Sequence, residues 1–392
     1  MKDCVSKFDY CFGCGVCASS CARKAITITL NAGGFYTPIV EGSKCVNCGL
    51  CLDVCSFNNS TQVLNSIPIT CWAAWSDDVV VRQKCSSGGI GFEIGKQLIQ
   101  DGYRVIACRY NSDKGRAEHY EAKTVDELVQ SIGSKYIQSY TTEAINSIDK
   151  TKKYLIVGTP CQIDSLRRFV RKYKCENNFV LMDFFCHCVP SMHAWKAYTR
   201  MVEKKIGKIT YASWRNKFEY GWHDSWLMAL ESQTKEDISD EQKLYTKIIQ
   251  EKRCTVESRK SKGDLFYKLF LGDFCLGPQC QKDCRFKYNH SSADIRIGDL
   301  WGKTYMHDDK GVSALVAFTK KGKEVIDNLK GVTLIEHPFE VVAEGQMKKN
   351  AQAKELKPIV MYLLENQVPL ESNLFKIVFF LQKVITKIKT LV

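Results

Sequence analysis

The sequence predicts a mixed α/β (α+β) protein in which a small cysteine-rich module precedes a larger α/β domain. Residues 1–60 contain one cysteine motif twice, with the two copies 34 residues apart. From residue 151 onward, predicted strands alternate with predicted helices, which is typical of a parallel sheet. The chain of 392 residues is long enough for two or three domains with a substantial core.

The N-terminal motif has the spacing C-x2-C-x2-C-x3-C in both copies. This spacing lets three thiolates hold one iron–sulfur cube while the fourth ligates the neighbouring cube, as in two-cluster ferredoxins. We therefore predict a bacterial-type ferredoxin module with two 4Fe–4S clusters. The first cluster has the ligands Cys11, Cys14, Cys17 and Cys55, and the second has the ligands Cys45, Cys48, Cys51 and Cys21.

A zinc site and a disulfide framework are the alternatives for this module. Zinc usually takes its ligands as two separated pairs, and disulfides need an oxidising compartment. Residues 1–10 lack the apolar core of a secretory signal, so the twenty cysteines indicate metal or redox chemistry in a reducing cytoplasm. Clusters of about −2 each would offset part of the net charge of +13. No nucleic-acid-binding motif is present, so we expect no nucleic-acid partner.

Within the module, residues 24–30 and 35–40 alternate like two short strands, and a polar linker at 58–62 follows. The next part, residues 70–150, contains a predicted helix at 90–100 and a predicted strand at 103–110. A Ser/Gly turn before a helix presents free N–H groups to a phosphate, although a plain helix cap or a solvated loop is the alternative. The two candidate turns are Ser86, Ser87, Gly88 and Gly89, and Gly133, Ser134, Lys135 and Tyr136.

Residues 151–340 open with a βαβα pattern, in which the predicted strands cover 154–157 and 179–185. Parallel strands joined by a crossover place their carboxyl ends at one edge of the sheet, so Cys161 and Cys186 should meet there. A third cluster is then a candidate, and ordinary buried thiols are the alternative. Its ligands would be Cys161, Cys186, Cys280 and Cys284.

Two single residues at this edge have further candidate roles. A helix N-terminus would lower the pKa of Cys161, which makes a reactive nucleophile another alternative for this thiol. His187 is the candidate general acid, with a structural histidine as the alternative.

The C-terminal part, residues 341–392, ends in an apolar helical stretch at 373–392. Its lysines argue against a transmembrane span. The alternatives are a basic amphipathic helix in peripheral contact with the inner face of the membrane, or a helix docked onto its own domain or a partner. The lysines are Lys376, Lys383, Lys387 and Lys389.

Taken in order, these motifs resemble the coenzyme F-420 hydrogenase/dehydrogenase beta-subunit (FrhB/FdhB-like) family from about residue 8 to about residue 330. Members of that family are iron–sulfur flavoproteins that bind FAD and pass electrons between a cluster and a hydride-type acceptor. The resemblance implies that the turns at 86–89 and 133–136 line the flavin site of an α/β domain. It also implies a third cluster, although the last cysteine pair is spaced C-x3-C where C-x2-C is usual. Cys188 stands where the family often has glycine.

The leading hypothesis is a cytoplasmic enzyme, a ferredoxin-linked, flavin-dependent oxidoreductase. A ferredoxin-type donor would reduce the clusters, and FAD would pass the electrons to a small-molecule or a sugar- or lipid-linked substrate. Single-chain members of this layout resemble proteins of bacterial surface-polysaccharide gene clusters. One alternative is an electron-relay beta subunit of a hydrogenase or formate dehydrogenase that reduces the deazaflavin coenzyme F-420. Another is a non-catalytic iron–sulfur scaffold of a glycan-assembly complex.

Overall fold

The structure is a computed structural model of the chain, and it describes residues 4–58, 67–232 and 256–391. Cys254 and most of the predicted linker at 58–62 lie outside the described residues. None of the helices in these ranges is long and apolar enough to cross a membrane.

The N-terminal module consists of a two-stranded sheet and two short helices. Strands β1 (Ile26–Leu30) and β2 (Tyr36–Val40) pair antiparallel around a turn, which confirms the two strands expected there. The helices α1 (Val16–Ser19) and α2 (Leu50–Asp53) are preceded by Gly15 and Gly49, each with φ of 73°. A left-handed conformation of this kind favours glycine. The repeated spacing of the sequence therefore produces repeated local geometry.

The remaining strands form two sheets. A nine-stranded mixed sheet has the order β14-β3-β13-β12-β8-β7-β4-β5-β6, and a smaller antiparallel sheet has the order β11-β10-β9. The large sheet takes strands from both 70–150 and 151–340. The strands are β3 (Thr70–Ser76), β4 (Arg104–Asn111), β5 (Arg116–Ala122), β6 (Ser139–Tyr140), β7 (Tyr154–Val157), β8 (Phe179–Phe184), β9 (Ile209–Ser213), β10 (Leu227–Ser232), β11 (Val256–Arg259), β12 (Ile295–Asp299), β13 (Ser313–Ala317) and β14 (Val332–Glu336).

The helices mostly cover the faces of the large sheet. Helix α4 coincides with the helix expected at 90–100. Short 3-10 turns occur at Val5–Lys7, Val129–Ser131, Glu176–Asn178, Lys260–Lys262 and Lys303–Tyr305. The helices are α3 (Val79–Lys84), α4 (Ile90–Gln100), α5 (Val125–Leu128), α6 (Thr142–Asn146), α7 (Pro160–Lys172), α8 (Met192–Ile206), α9 (Leu265–Phe270), α10 (Pro278–Lys282), α11 (Lys320–Asp327), α12 (Phe339–Val342), α13 (Lys357–Glu365) and α14 (Asn373–Leu391).

The βαβα unit has the predicted topology, because β7 and β8 pair in parallel. Helix α7 begins at a capping box of Thr159 and Gln162, and Pro160 occupies its first turn. Such a box satisfies two N–H groups at a helix start. Helix α7 buries Ile163 and Leu166 on the sheet, and Val16 and Val54 of the N-terminal module belong to the same core cluster. The module is therefore held against the helix that carries Cys161.

Candidate redox site

The four predicted ligands of the first cluster surround one small cavity, which Cys11, Cys14, Cys17 and Cys55 line together with Phe12. Cys55 belongs to the second motif, so the structure brings the two copies together as the crossed ligand pattern requires. Burial first, and then the neighbouring thiols, raise the pKa values of Cys11 and Cys55 to about 12. Metal binding is what deprotonates such thiols.

Hydrogen bonds to sulfur favour the thiolate form at this first site. The Gly13 N–H donates to Cys11 Sγ at 3.3 Å, and the Asn58 N–H donates to Cys55 Sγ at 3.4 Å. Gly13 has φ of 68°, and an added Cβ would lie 2.6 Å from the Tyr36 carbonyl oxygen, so glycine is required there. These donors and the four soft ligands fit a 4Fe–4S cluster.

The second motif lies nearer the surface. Cys51 is buried, Cys21 and Cys45 are half-buried, and Cys48 is exposed. Cys4, which belongs to neither motif, is 1 % exposed and lies against the Cys45 side chain. The four predicted ligands of the second cluster therefore stand at the outer end of the module.

The third group of thiols converges at the carboxyl edge of the sheet. Cys161 is in the first turn of α7, Cys186 follows β8, and Cys280 and Cys284 lie in and just after α10. All four line one large cavity. We expected the N-terminus of α7 to lower the pKa of Cys161, but that expectation was wrong. Burial raises it well above its ordinary value, and the hydrogen bond between the Thr159 hydroxyl and the Cys161 thiol offsets only part of this rise.

A fifth thiol, Cys188, joins this group. It is 7 % exposed, lines the same cavity, and its side chain hydrogen-bonds with that of Cys280. That hydrogen bond, followed by the nearby Lys287 ammonium, lowers the pKa of Cys188. The Lys287 Nζ donates to the carbonyl oxygens of Cys186 at 2.8 Å and of His187 at 2.5 Å. Cys188 and the four predicted ligands thus all line the same cavity.

The first and third thiol groups are neighbours through helix α7. Cys14 Sγ donates to Ser165 Oγ at 3.3 Å, one helical turn after Cys161. Phe12 lines both the small cavity and the large one. The three groups of thiols therefore follow one another from the exposed Cys48 to the wall of the large cavity.

The large cavity has a volume of about 480 Å³, which is within the usual range for a small-molecule site. Both candidate phosphate turns reach it, and the Ser134 N–H donates to Ser86 Oγ at 2.8 Å. The lining includes Ser86, Ser87, Gly89, Gly133, Ser134, Lys135 and Tyr136. The Ser87 hydroxyl donates to the Val312 carbonyl oxygen at 2.7 Å, so the two turns are held to each other and to the neighbouring chain at the cavity wall.

Gly88 and Lys135 also make contacts within the protein. Gly88 lies outside the lining; its N–H donates to Ser313 Oγ at 3.0 Å, and an added Cβ would lie 2.4 Å from the Ala74 carbonyl oxygen. Lys135 Nζ donates to the carbonyl oxygens of Ser131, Ile132 and Gly133 at 2.8–2.9 Å, which closes its own loop. Burial lowers the pKa of Lys135 to about 8.

His187 also lines the cavity, and both of its ring nitrogens have protein partners. Nε2 lies 3.1 Å from Asp273 Oδ1, and Nδ1 lies 2.9 Å from Met347 Sδ. Its ring stands at 88° to that of Phe270. These contacts fix the imidazole in place; its use as an acid stays a prediction.

Comparison with known proteins places this geometry in a family. Residues 151–338 match the family model for the C terminus of the coenzyme F420 hydrogenase/dehydrogenase beta subunit, and residues 10–59 match a 4Fe-4S dicluster domain. The chain therefore combines a C-terminal domain of this beta-subunit family with an N-terminal 4Fe–4S dicluster domain. Its dicluster domain accounts for two 4Fe–4S clusters, so it is an iron–sulfur electron-transfer protein of a family of oxidoreductase subunits.

The remaining comparisons add no functional detail. A search of curated proteins found no match. A chain of the F420-reducing [NiFe] hydrogenase complex from Methanosarcina barkeri is 15 % identical, with a TM-score of 0.46. That alignment covers 79 % of this chain and 91 % of the other.

The sequence did not predict a group of aromatic side chains that forms one wall of the cavity. Tyr136 stacks between Trp226 and Phe270, with ring centres 5.2 and 5.5 Å away. Arg215 is fully buried behind it, between Trp226 at 4.7 Å and Trp301 at 4.9 Å, and no local pattern marks it. Its guanidinium donates to Asp299 at 3.1 Å.

His119, on β5, is a second missed residue of the lining. Its Nε2 N–H donates to the Val157 carbonyl at 2.9 Å, and burial lowers its pKa to about 4. The imidazole is therefore neutral at pH 7. A histidine in a strand carries no sequence signal that separates a lining residue from a core residue.

Proposed function

We propose that the chain relays electrons from a protein donor at its ferredoxin module to a flavin in the large cavity, and onward to a two-electron acceptor such as the deazaflavin coenzyme of its family. The donor would be a ferredoxin-type protein or a partner subunit. When bound, the clusters supply single-electron steps and FAD supplies a hydride equivalent. The chain's own residues hold these groups in order and shield them from water.

The observation that carries this proposal is the order of the three groups of thiols, from the exposed Cys48 to the wall of the cavity. Cys48 is exposed at the outer end, beside Val46, which is 61 % exposed. At the inner end, helix α7 presents Ser165 to Cys14 and Cys161 to the cavity. A row of this kind suits stepwise transfer, whereas thiols that only pack need not lie in sequence.

The flavin is assigned to the two turns that meet in the cavity. Ser86, Ser87 and Gly89 would face its phosphates from one side, and Gly133 and Ser134 from the other. The stacked rings of Tyr136, Trp226 and Phe270 form an apolar wall of the cavity, against which its ring system would lie. Gly88 and Lys135 would support these turns from behind.

Anaerobic purification with iron, sulfide and flavin measured per chain tests the proposal. We expect about twelve irons and one flavin, because three clusters contain four irons each. C161S and C280S should each lower the iron content by about four. C175S is the control, since Cys175 lies outside the three groups, and it should leave iron unchanged. About eight irons in the wild type, unchanged in C161S, would show that the inner thiols only pack. Absence of flavin would favour the scaffold hypothesis.

A second candidate is an oxidoreductase that delivers the electrons to an organic substrate. It is favoured by the aromatic wall of Tyr136, Trp226 and Phe270, which would also suit an extended organic molecule. Mixing the chemically reduced protein with the oxidised deazaflavin coenzyme separates the two candidates. Rapid reduction of the coenzyme supports the relay, and its absence supports the organic substrate. The surface-polysaccharide setting stays a prediction.

A further inference from the structure

The C-terminal helix α14 has two apolar faces, and only one of them is covered. Phe375, Val378 and Phe379 are at most 7 % exposed and belong to the core cluster that includes α8 and α9 residues. The Phe379 ring lies 5.2 Å from that of Phe274, and Lys268 Nζ lies 4.4 Å above it. This face docks the helix onto its own domain, which is one of the alternatives the sequence left open.

The other face is a stripe of exposed apolar side chains with alternating spacings of three and four residues. Positions at this spacing share one side of a helix. Phe380, which is 65 % exposed, lies beside the stripe, and the neighbouring helix α13 exposes Ile359 and Tyr362. Contiguous exposed apolar surface of this kind marks an interaction site. The stripe consists of Leu374, Ile377, Leu381, Val384 and Ile388, which are 40–56 % exposed.

A row of lysines borders this stripe. At 100° per residue, Lys376, Lys383 and Lys387 fall on one line along the helix, next to the apolar stripe. Residues 373–391 contain no Asp or Glu, and in the part of the chain that the structure describes no carboxylate pairs with these three lysines. Lys389, on the opposite flank, pairs with Glu355. Among the described residues, the lysines of this helix that have no carboxylate partner therefore lie on the side of the exposed stripe.

We propose that this stripe and its lysine edge dock the protein on the surface of an anionic lipid bilayer, with α14 lying in the plane of the interface. Apolar side chains would enter the boundary of the acyl chains, and the lysines would reach the headgroups along their methylene stems. A second copy of the chain is a poorer occupant, because it would bring the same lysines and no carboxylate to face them. A coiled-coil partner normally offers flanking charges of both signs.

Flotation of the full chain with phosphatidylcholine vesicles, with and without phosphatidylglycerol, tests the proposal. We expect binding to the anionic vesicles alone, and weaker binding at high salt. The pair Ile377→Glu and Leu381→Glu should abolish binding. The pair Lys383→Gln and Lys387→Gln should weaken it about 25-fold, at about five-fold per lysine.

Two matched pairs serve as controls. Val79→Glu with Val80→Glu places the same charges on another exposed apolar pair, which is 72 % and 44 % exposed. Lys204→Gln with Lys205→Gln removes two lysines at the end of α8. Both controls should bind like the wild type, and the iron content should be unchanged in every variant.

Four outcomes would overturn the proposal. The first is no vesicle binding by the wild type, and the second is equal binding to neutral vesicles. The third is an equal loss of binding in the control variants. The fourth is a stripe-dependent dimer in analytical ultracentrifugation without vesicle binding, which would assign the stripe to a second copy. None of these outcomes depends on electron transfer, so the test is independent of the proposed function.

Discussion

Replacing Arg215 with methionine removes a buried guanidinium on which separate parts of the cavity wall converge. The Arg215 side chain is fully buried, and its Nε donates to Ser225 Oγ at 2.8 Å. Its terminal nitrogens reach Asp299 at 3.1 Å, the Tyr136 hydroxyl at 3.4 Å and the Ser86 carbonyl at 3.4 Å. Methionine keeps much of the side-chain volume, so the loss is mainly that of charge and hydrogen bonds.

We expect R215M to lower the free energy of unfolding by about 3–5 kcal/mol, which is the usual effect of removing one partner of a buried ion pair. The two lost cation–π contacts add roughly 1–2 kcal/mol in total. The loss is smaller than the full cost of a buried unpaired charge, because Asp299 is 17 % exposed and still accepts a hydrogen bond from Trp222 Nε1 at 2.9 Å. R215K should lower the free energy of unfolding by about half as much, because lysine keeps the positive charge but lacks the planar guanidinium that donates to several partners at once.

Urea unfolding of the anaerobically purified protein, followed by tryptophan fluorescence, measures this loss. R259M is the matched control. Arg259 also lies over an aromatic ring, that of Tyr220 at 3.9 Å, and pairs with Asp224 at 2.8 Å, but the two partners are 22 % and 40 % exposed. An exposed pair contributes about 0–1 kcal/mol. Equal losses in R215M and R259M would refute the reasoning, and R215M should also retain less flavin.

Two further predictions concern a buried histidine and a buried glycine. Burial lowers the pKa of His119 from 6.5 to about 4, so this histidine takes up a proton at a higher pH in the unfolded chain than in the folded protein. The free energy of unfolding should therefore fall by up to about 3 kcal/mol as the pH drops from 6.5 to 4. H119Q should remove most of this pH dependence of the free energy of unfolding, whereas H223Q, which changes an exposed histidine, should leave it unchanged. The same pH dependence in both variants would contradict the assignment of this effect to His119. G88A should cost about 1–3 kcal/mol, because its Cβ would lie 2.4 Å from the Ala74 carbonyl oxygen. G91A is the control and should hardly change thermal unfolding, because its Cβ would meet only the flexible end of the Ile297 side chain. An equal loss of stability in G88A and G91A would contradict this reasoning.

The parts of the site that could be predicted are those set by local spacing or by topology. The motif repeat predicted equivalent turns, and Gly15 and Gly49 have the same φ of 73°. The βαβα pattern predicted that Cys161 and Cys186 would approach, because parallel strands end at one edge. In both cases a few consecutive residues determine the geometry.

The parts that could not be predicted depend on contacts between distant segments. Arg215 meets Ser86, Tyr136 and Asp299, which lie 129, 79 and 84 residues away in the chain. The Gly133–Tyr136 turn suggested a lysine for a phosphate, yet Lys135 bonds to its own loop. The hydrogen-bond partners of a long side chain depend on which carbonyl groups surround it after folding. The spacing of residues in the sequence does not reveal these groups.

Lys287 places a buried cation beside the inner thiols. It is 8 % exposed, and its Nζ donates to two carbonyl oxygens, those of Cys186 and His187. A buried ammonium beside neutral thiols would be costly. Burial opposes the charged form of Lys287, and the neighbouring sulfurs, Cys186 first, raise its pKa above the ordinary value. A cluster held by these thiols, as proposed above, would carry negative charge, and Lys287 would balance part of it.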